Sequence, residues 1–353
     1  MIYRIIGHFV FSMKFILLIC TLLVTITACT HAGAALPPQT AVATLAVPSS
    51  AKPASVEPAK LLSPTQAEAE SIQQAVTRGT ERSSSTPPST PARLLPSPTA
   101  KHTLGPASWK ELPVIPQLGE RVVEIYQHGL ESGNNPYAFS KVGDCGSTPA
   151  WFLGDFDRGE EFYSLGEFEF LKSAILAYRG SFERTSLAAR SGFTASSLLT
   201  TLWTDLDSCQ VSETPLECEY RLHRPVIAFI TLGTNDIWLP EQFEPQMRKI
   251  IEYSIDQGVI PILSTKADNA EGDGSINATI AKLAFEYEIP LWNYWLAVQP
   301  LPDHGLQEDQ SHLTWGRNFF DVPENMTKAW PVRNLTALQV LYEVWKQVSG
   351  QNG

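Results

Sequence analysis

The amino-acid sequence predicts an α/β domain with a central parallel sheet, and two observations support this prediction. From about residue 138 to residue 348, short apolar segments alternate with segments in which apolar residues recur at helical spacing. One apolar segment, PVIAFITLG at 225–233, is apolar almost throughout. Such a strand is typically buried on both faces, and alternation of strands with helices is typical of a parallel sheet between two layers of helices.

The predicted strands begin with AFSKVGD, which leans apolar and ends in a Gly-Asp pair typical of a tight turn. SFERTS is a short strand candidate, VIPILSTK is predicted to be buried, and PLWNYW is rich in aromatic residues. With the segment above, the five predicted strands lie at 138–144, 181–186, 225–233, 259–266 and 290–295.

The predicted helices connect these strands. EPQMRKIIEYSIDQG is amphipathic and ends at a glycine, a common helix C-terminal signal. NLTALQVLYEVWKQV closes the domain. The five predicted helices lie at 167–178, 194–203, 244–258, 274–288 and 334–348.

The N-terminus is predicted to be a signal peptide of the lipoprotein type, at 1–28. Lys14 precedes a short apolar run that ends at Cys29 and is too short to cross a bilayer comfortably. The ending Ile26-Thr27-Ala28-Cys29 resembles a bacterial lipobox, in which the cysteine is lipidated and becomes the new N-terminus. A plain signal peptide or an N-terminal anchor helix is the alternative interpretation. The lipobox predicts a membrane-anchored protein on the bacterial cell surface.

Residues 29–108 are predicted to be a disordered tether rich in Pro, Ser, Thr and Ala. Residues 30–108 contain 12 of the 26 prolines and no Phe, Trp or Tyr. Such a segment cannot bury enough apolar surface to offset the entropy of ordering it. All aromatic residues beyond the signal region follow it, which predicts one folded domain at 109–349.

Composition excludes several classes of partner. The formal net charge of −11 and the lack of a Lys/Arg cluster argue against nucleic acid. No cysteine or histidine spacing is that of a zinc site, so neither a metal nor a cofactor is expected. Asp268, Glu271 and Asp273 lack the spacing of a calcium loop and are expected to be solvated.

The five cysteines have different expected roles. Cys20 lies in the predicted signal peptide, and Cys29 is the candidate for lipidation. Cys209 and Cys218 bracket a polar segment and, in an oxidising compartment, are predicted to form a local disulfide; two thiols are the alternative. Cys145 follows the first predicted strand and has no obvious disulfide partner.

Chemically useful side chains follow several of the predicted strands. Cys145 follows the first, Gly192 lies in the loop after the second, Asn235 follows the third, and Asp309 and His312 lie in the loop after the fifth. In a parallel α/β sheet, ligands bind outside the carboxyl ends of the strands. A thiol, oxyanion donors, a base and a group that orients the base are the parts of an acyl-transfer site.

These segments resemble the conserved blocks of the SGNH (GDSL-type) hydrolases. The matching segments are Gly143-Asp144-Cys145, Gly192, Gly233-Thr234-Asn235-Asp236 and Asp309-Gln310-Ser311-His312. The resemblance spans about 138–348. It implies a three-layer α/β/α fold of flavodoxin-like type and hydrolysis of esters, often of lipids or acylated sugars. Cys145 departs from the pattern, because the family has a serine there.

The resemblance also implies a role for each residue. Cys145 would be the nucleophile, His312 the base and Asp309 its orienter, with Gly192, Asn235 and the Cys145 N–H holding the oxyanion. A thiol is a good acyl acceptor, and its thioester can pass the acyl group to water or another acceptor. The predicted function is therefore an esterase or acyltransferase acting on an ester or an acylated glycan or lipid. The alternative is a catalytically inactive protein of this fold that binds glycan or lipid, with Cys145 a small buried residue.

Several residues compete for these roles. Ser147 is a substitute nucleophile two residues past the family position, and His304 beside Asp303 is a rival base. Asp144 and Asp236 are expected to be structural acceptors that hold loop N–H groups. The aromatic residues of PLWNYW and LTWGRNFF are expected either in a substrate groove or in the core.

Overall fold

The computed structural model describes residues 105–350. The predicted signal peptide, Cys29 and the tether as far as residue 104 lie outside the described residues. The last residues of the predicted tether are described: a 3-10 helix spans Pro106–Glu111, and Trp109 is buried. None of the helices in this part of the chain combines the length and the apolar character needed to cross a membrane.

The described residues contain a four-stranded central sheet and a separate strand pair. Strands β1 to β6, in chain order, span Asn135–Gly143, Tyr163–Ser164, Pro225–Thr231, Ile260–Ser264, Leu291–Trp292 and Asn318–Phe319. The central sheet has the order β1-β3-β4-β5, and all its neighbouring strands are parallel. The strand pair consists of β2 and β6. All seven residues of β3 are buried, as its apolar sequence predicts.

The predicted strand at 181–186 is wrong. The N–H groups of Phe182 and Glu183 donate to the Asp157 carboxylate at 2.8 and 3.0 Å instead of to a neighbouring strand. The chain then makes a single parallel bridge between Ala189 and Gly143 at the edge of the sheet. This bridge occupies the place of a strand on the side of β1 away from β3. With the bridge segment, and not β2, counted as the second strand of the sheet, the lateral order is the flavodoxin-like order 2-1-3-4-5.

Eight α-helices are present in the described residues, and they form two groups. Helices α1 to α8, in chain order, span Arg121–Glu131, Asp155–Arg158, Lys172–Ala177, Pro215–His223, Pro240–Asp256, Ser275–Glu286, Tyr294–Val298 and Ala329–Val348. Helix α8 contacts α1 and α3, whereas α5 contacts α6. Because α1, α5 and α6 all contact β4, the sheet lies between the two groups. The predicted three-layer α/β/α fold with a central parallel sheet is confirmed.

Three predicted segments differ from the observed elements. The predicted helix at 167–178 is a 3-10 helix, Gly166–Leu171, followed by the short α3. At 290–295, only Leu291–Trp292 is a strand, because the Asn293 side chain accepts from the Leu296 N–H and begins α7. Helix α8 begins at Ala329, five residues before the predicted start at 334.

The predicted helix at 194–203 is wrong. It consists of two 3-10 turns, Ser197–Leu199 and Thr201–Trp203. The Thr194 and Ser197 side chains each accept from the other residue's N–H at 3.2 Å, which offers the backbone an alternative to helical hydrogen bonds.

Helix α4 was not predicted, although the sequence contains its start signal. Thr214 and Glu217 form a capping box, and Pro215 occupies the first turn. The predicted disulfide between Cys209 and Cys218 is present, with a Cα–Cα distance of 5.5 Å, and it ties the preceding loop to α4.

Candidate active site

Cys145 lies in a tight turn at the carboxyl end of β1. It begins a 3-10 turn, Cys145–Ser147, and the Asp144 carboxylate accepts from the Gly146 N–H at 2.9 Å. A Cβ atom on Gly143 would lie 2.3 Å from both the Ser147 Oγ and the Thr231 carbonyl oxygen, so only glycine fits here. Cys145 is partly exposed and carries a thiol. The predicted nucleophile is therefore at the surface of a constrained turn and is not a buried core residue.

Ser147, the substitute nucleophile, is in a different environment. Its side chain is fully buried, and its hydroxyl forms a hydrogen bond with the Thr231 hydroxyl. A substrate cannot reach this hydroxyl without disruption of the packing between β1 and β3. Ser147 therefore supports the turn and does not present a nucleophile.

Hydrogen bonds connect the second and third predicted blocks to the end of β1. The Gly143 N–H donates to the Ala188 carbonyl at 2.9 Å, which places the loop that carries Gly192 beside the Cys145 turn. Gly192 has φ +82°, in the left-handed region, and open space where a Cβ would lie. A glycine is therefore favoured at this position by the backbone conformation and not by close packing.

Asn235 is fixed against the same loop. Its Nδ2 donates to the Phe193 carbonyl at 3.0 Å, directly beside Gly192. An amide nitrogen carries two hydrogens, so this bond leaves one hydrogen for an oxyanion. The structure thus brings the loops of Gly192 and Asn235 together at the carboxyl edge of the sheet.

Asp144 and Asp236 hold loop N–H groups, as predicted. The Asp236 Oδ1 accepts from the Ala195 N–H at 2.9 Å, whereas its Oδ2 is buried with no hydrogen-bond partner among residues 105–350. Burial raises the pKa of Asp236 to about 6, and the nearby Asp144 adds to this. Burial also raises the pKa of Asp144, and the Arg333 guanidinium opposes that rise.

His312 and Asp309 form the predicted pair. The Nδ1 of His312 lies 2.6 Å from the Oδ2 of Asp309, and the His312 N–H donates to Oδ1 at 2.9 Å. These hydrogen bonds, the backbone bond first, lower the pKa of Asp309 to about 2. An ionised carboxylate only accepts, so Nδ1 carries the proton and Nε2 of a neutral His312 carries the lone pair.

His304, the rival base, has a different partner. Its Nδ1 lies 3.1 Å from the Gln299 carbonyl oxygen, and among the described residues it makes no ion pair with Asp303. A carbonyl orients the ring but does not stabilise an imidazolium as a carboxylate does. The geometry favours His312.

Helix α8 links the His312 loop to the Cys145 turn. The Trp330 N–H donates to the Thr314 carbonyl at 3.1 Å, and the Ala329 N–H donates to the Thr314 hydroxyl at 3.0 Å. The Trp330 ring in turn lies 3.7 Å from the position that a Cβ on Gly146 would occupy. The first turn of α8 therefore contacts both predicted parts of the site.

Arg333, which was not among the predicted site residues, lies directly behind the Cys145 turn. It is 7% exposed, and its Nη1 donates to the Gly146 carbonyl at 2.8 Å. Its guanidinium carbon lies 4.7 to 5.9 Å from the ring centroids of four aromatic residues, Phe152, Trp330, Tyr294 and Trp292. The signal was an arginine directly after the apolar run AWPV, which indicates a buried cation.

The charge of Arg333 is only partly compensated. No carboxylate oxygen within 105–350 lies within ion-pair distance of it, and its buried Nε has no hydrogen-bond partner there. Burial lowers the pKa of Arg333, and its electrostatic interactions with Tyr294, Asp144 and Cys145 oppose this. A buried cation with this environment favours negative charge at the adjacent turn.

Two of the three acidic residues predicted to be solvated, Asp268 and Glu271, have buried side chains, so the prediction is wrong for them, whereas Asp273 is exposed as predicted. Asp268 and Glu271 both accept from the Lys266 ammonium, at 2.6 and 2.5 Å. The Thr234 hydroxyl donates to the Asp268 Oδ2 at 2.8 Å. The lysine supplies the positive charge that compensates these carboxylates. Through Thr234, the cluster holds the loop that carries Asn235.

The aromatic residues of the last predicted blocks divide between core and surface. Trp292 and Tyr294 are buried. Trp315 is 62% exposed and lines a groove with Trp151 and Trp330. Phe320, in the same segment as Trp315, is buried, so LTWGRNFF contributes to both the core and the groove, whereas Trp292 and Tyr294 of PLWNYW belong to the core.

The chain is similar to several solved structures at low sequence identity. No protein-family model matches the chain, and no curated protein matches it. A GDSL-like lipase from Bacteroides thetaiotaomicron is similar at 14% identity, over 63% of this chain and 98% of that one, with a TM-score of 0.37. An acetylxylan esterase from Geobacillus stearothermophilus, in a catalytic mutant form, is similar at 14% identity, over 59% and 94%, with a TM-score of 0.37.

A third similar structure is a psychrotrophic esterase from a Pseudoalteromonas species, at 11% identity, over 59% of this chain and 97% of that one, with a TM-score of 0.37. At identities and TM-scores this low, no activity or substrate passes from these proteins to this chain.

Proposed function

We propose that this protein is an extracellular, membrane-tethered acyl hydrolase, an esterase or acyltransferase, that acts through Cys145, His312 and Asp309. The observation that supports the proposal most strongly is the 2.6 Å contact between His312 Nδ1 and Asp309 Oδ2. It fixes the tautomer in which Nε2 is free to accept a proton. A second support is that Cys145 lies in a turn at the end of β1, next to the loops that carry Gly192 and Asn235.

The reaction has two stages. In the first, Nε2 of His312 takes the thiol proton, and the Cys145 sulfur bonds to the ester carbonyl carbon. The resulting oxyanion accepts hydrogen bonds from the Cys145 and Gly192 N–H groups and the Asn235 amide. Collapse then breaks the carbon–oxygen bond, and the departing alkoxide takes the proton from His312, which leaves a thioester.

In the second stage, water or another hydroxyl compound attacks the thioester carbonyl while His312 takes its proton. The carbon–sulfur bond breaks, and His312 returns the proton to sulfur. Water as the attacking group makes the protein an esterase, and an alcohol makes it an acyltransferase.

Arg333 explains how a cysteine functions at this position. The thiolate is the nucleophilic form, and a nearby cation favours it over the thiol. Arg333 supplies that cation from the protein interior, through the turn that its Nη1 holds at Gly146. We therefore assign Arg333 as a positioning residue that acts through the turn.

Tethering follows from the N-terminal sequence. Cleavage before Cys29 and lipidation of its sulfur would anchor the chain in the membrane. Expression in a bacterial host with a radiolabelled fatty acid tests this proposal. Label retained in the protein and lost in Cys29→Ala supports it, and equal labelling of both contradicts it.

Turnover of p-nitrophenyl acetate by the protein tests the chemistry. Cys145→Ala is expected to lose at least about a thousandfold in kcat/KM, and His312→Ala a comparable factor. His304→Ala is the matched control and is expected to retain activity. Turnover by the unaltered protein that equals that of Cys145→Ala contradicts the proposal. In that case, with the folded state shown by circular dichroism, binding of glycan or lipid without catalysis becomes the better account.

A further inference from the structure

An open groove of about 490 Å³ is lined by Ala150 and Trp151, which follow the Cys145 turn in the chain, and by Trp330 in the first turn of α8. Its volume is within the range of sites that hold small ligands, roughly 300 to 1,000 Å³. Trp330 lines the groove, and its ring also lies 3.7 Å from the position of a Cβ on Gly146. One side chain, Trp330, is therefore shared by the groove and by the surroundings of the turn that carries Cys145.

The walls of the groove expose three large aromatic side chains. Trp151 is 45% exposed, Phe162 is 41% exposed and Trp315 is 62% exposed. Trp151 is held in place by stacking on Trp330, with a centroid distance of 5.6 Å and an interplanar angle of 23°. Several exposed aromatic residues around one concave site indicate a binding surface rather than chance exposure.

Polar side chains in the groove are already ordered by one another. The Asp155 carboxylate accepts from Arg158 at 3.2 Å and from the Asn318 amide at 2.8 Å. The Asn318 Oδ1 accepts from the Asn334 amide at 3.0 Å. Because these groups are fixed before a ligand binds, they lose little entropy on binding.

The charges that line the groove balance. Asp155 and Glu161 are acidic, and Arg158 and Arg317 are basic. Glu161 and Arg317 make no ion pair within residues 105–350, so their hydrogen-bonding capacity is available to a ligand. Balanced charge disfavours a polyanion, and charged walls disfavour a long acyl chain.

We propose that this groove binds the neutral sugar part of an acylated saccharide and presents its ester to Cys145. A pyranose has a face of C–H groups and a rim of hydroxyls. The indole faces of Trp151 and Trp315 match the C–H face, and carboxylate, guanidinium and amide groups match the hydroxyls with paired hydrogen bonds. The assignment of this substrate class rests on the proposed acyl hydrolase activity, whereas sugar binding in the groove does not.

Binding is measured without catalysis. Isothermal titration calorimetry of Cys145→Ala with xylotetraose, cellotetraose and tetra-N-acetylchitotetraose is expected to detect at least one of them. Adding Trp151→Ala or Trp315→Ala is expected to weaken that binding tenfold or more. Tyr137→Ala is the matched control, because Tyr137 is 64% exposed at the start of β1, the end of the strand opposite Cys145. No binding of any probe at millimolar concentration, or equal binding after both tryptophan substitutions, overturns the proposal.

Kinetics give the second readout. Trp151→Ala and Trp315→Ala are expected to lower kcat/KM tenfold or more on an acetylated oligosaccharide and to leave p-nitrophenyl acetate turnover within twofold. Equal loss on both substrates overturns a role in sugar recognition. Preference for p-nitrophenyl laurate over the acetate that disappears in Trp151→Ala assigns the groove to an acyl chain and also overturns it. Sugar binding without any ester turnover retains the groove assignment and refutes only the proposed hydrolase.

Discussion

Two cationic groups beside β1, the partly buried Arg184 and the buried Arg333, differ in how their charges are compensated. Arg184 pairs with Glu219 at 2.6 Å and donates to the Phe139 carbonyl at 2.8 Å. Glu219 also accepts from the Ser140 hydroxyl at 2.6 Å. Arg333, by contrast, donates to the Gly146 carbonyl and is surrounded by aromatic rings.

The difference indicates which group serves the fold and which serves the site. The charge of Arg184 is compensated by Glu219, and the pair therefore stabilises the middle of β1. Arg333 has no carboxylate within ion-pair distance in residues 105–350, and its charge acts on Asp144 and on Cys145 in the adjacent turn. Buried polar atoms without partners cost about 1 to 3 kcal/mol each, and a protein retains such departures mainly at functional sites.

Removal of Glu219 is expected to have the largest effect on stability. Glu219→Ala leaves the partly buried Arg184 uncompensated and removes the acceptor of the Ser140 hydroxyl, so the free energy of unfolding at pH 7 should fall by about 3 kcal/mol. Urea denaturation measures this. Glu183→Ala, which removes the exposed partner of Arg158, is the control and should change stability by about 0.5 kcal/mol or less. A loss no greater than in the control contradicts the structural role of the pair.

Reduction of the disulfide is expected to have the next largest effect. Cys218 lies beside Glu219 in α4, so the Cys209–Cys218 bond helps to anchor the compensated cluster. Its removal in Cys209→Ala/Cys218→Ala should lower the free energy of unfolding by about 2 kcal/mol. Turnover of p-nitrophenyl acetate should not change, because Cys145 lies in the other region. Loss of turnover in a protein that remains folded contradicts this separation.

Lys141 predicts a pH dependence of stability. It is fully buried and donates to the Phe182 carbonyl at 2.6 Å. Burial, with Arg184 contributing, lowers its pKa to about 7. Between pH 7 and the ordinary lysine pKa, the unfolded state therefore binds more protons than the folded state, and stability rises with pH.

The rise from this residue amounts to about 1.4 kcal/mol per pH unit at most. Lys141→Met should flatten the increase in unfolding free energy between pH 8 and pH 9, while Lys249→Met should not. Identical pH profiles for the unaltered protein and Lys141→Met contradict a lowered pKa.

Arg333 is expected to change the chemistry of Cys145 by the smallest free energy in this series. Arg333→Met should shift the alkylation of Cys145 by iodoacetamide to higher pH and slow it at pH 7 by up to about tenfold, because the thiolate loses its neighbouring cation. Arg333→Lys should restore part of the rate. Lys141→Met, which removes a buried cation elsewhere, is the control. An alkylation profile that is the same in Arg333→Met as in the unaltered protein contradicts the contrast between the two regions.

Local patterns predicted much of the fold. The apolar sequence of β3 and the glycine-terminated α5 follow from periodicity and capping within a few residues. The start of helix α4 was also predictable from the capping box of Thr214 and Glu217, although the helix was not predicted. The false strand at 181–186 was not readable in this way, because the group that takes its N–H donors, Asp157, lies more than 20 residues away.

The candidate site was predictable to a similar degree. Gly-Thr-Asn-Asp and Asp-x-x-His identify Asn235, Asp309 and His312 as candidates from sequence alone. Arg333 depends on rings from three separate segments, and the groove depends on Trp151 and Trp315, more than 160 residues apart. Only tertiary structure brings such groups together.

Detection of the acyl-enzyme tests the central claim most directly. The protein is mixed with p-nitrophenyl acetate, quenched with acid during turnover and analysed by intact mass and peptide mapping. The account predicts one acetyl group on the peptide that contains Cys145, released by neutral hydroxylamine as expected of a thioester and absent from Cys145→Ala. Turnover with the acetyl group on another residue, or with no acetyl group at any quench time, contradicts it.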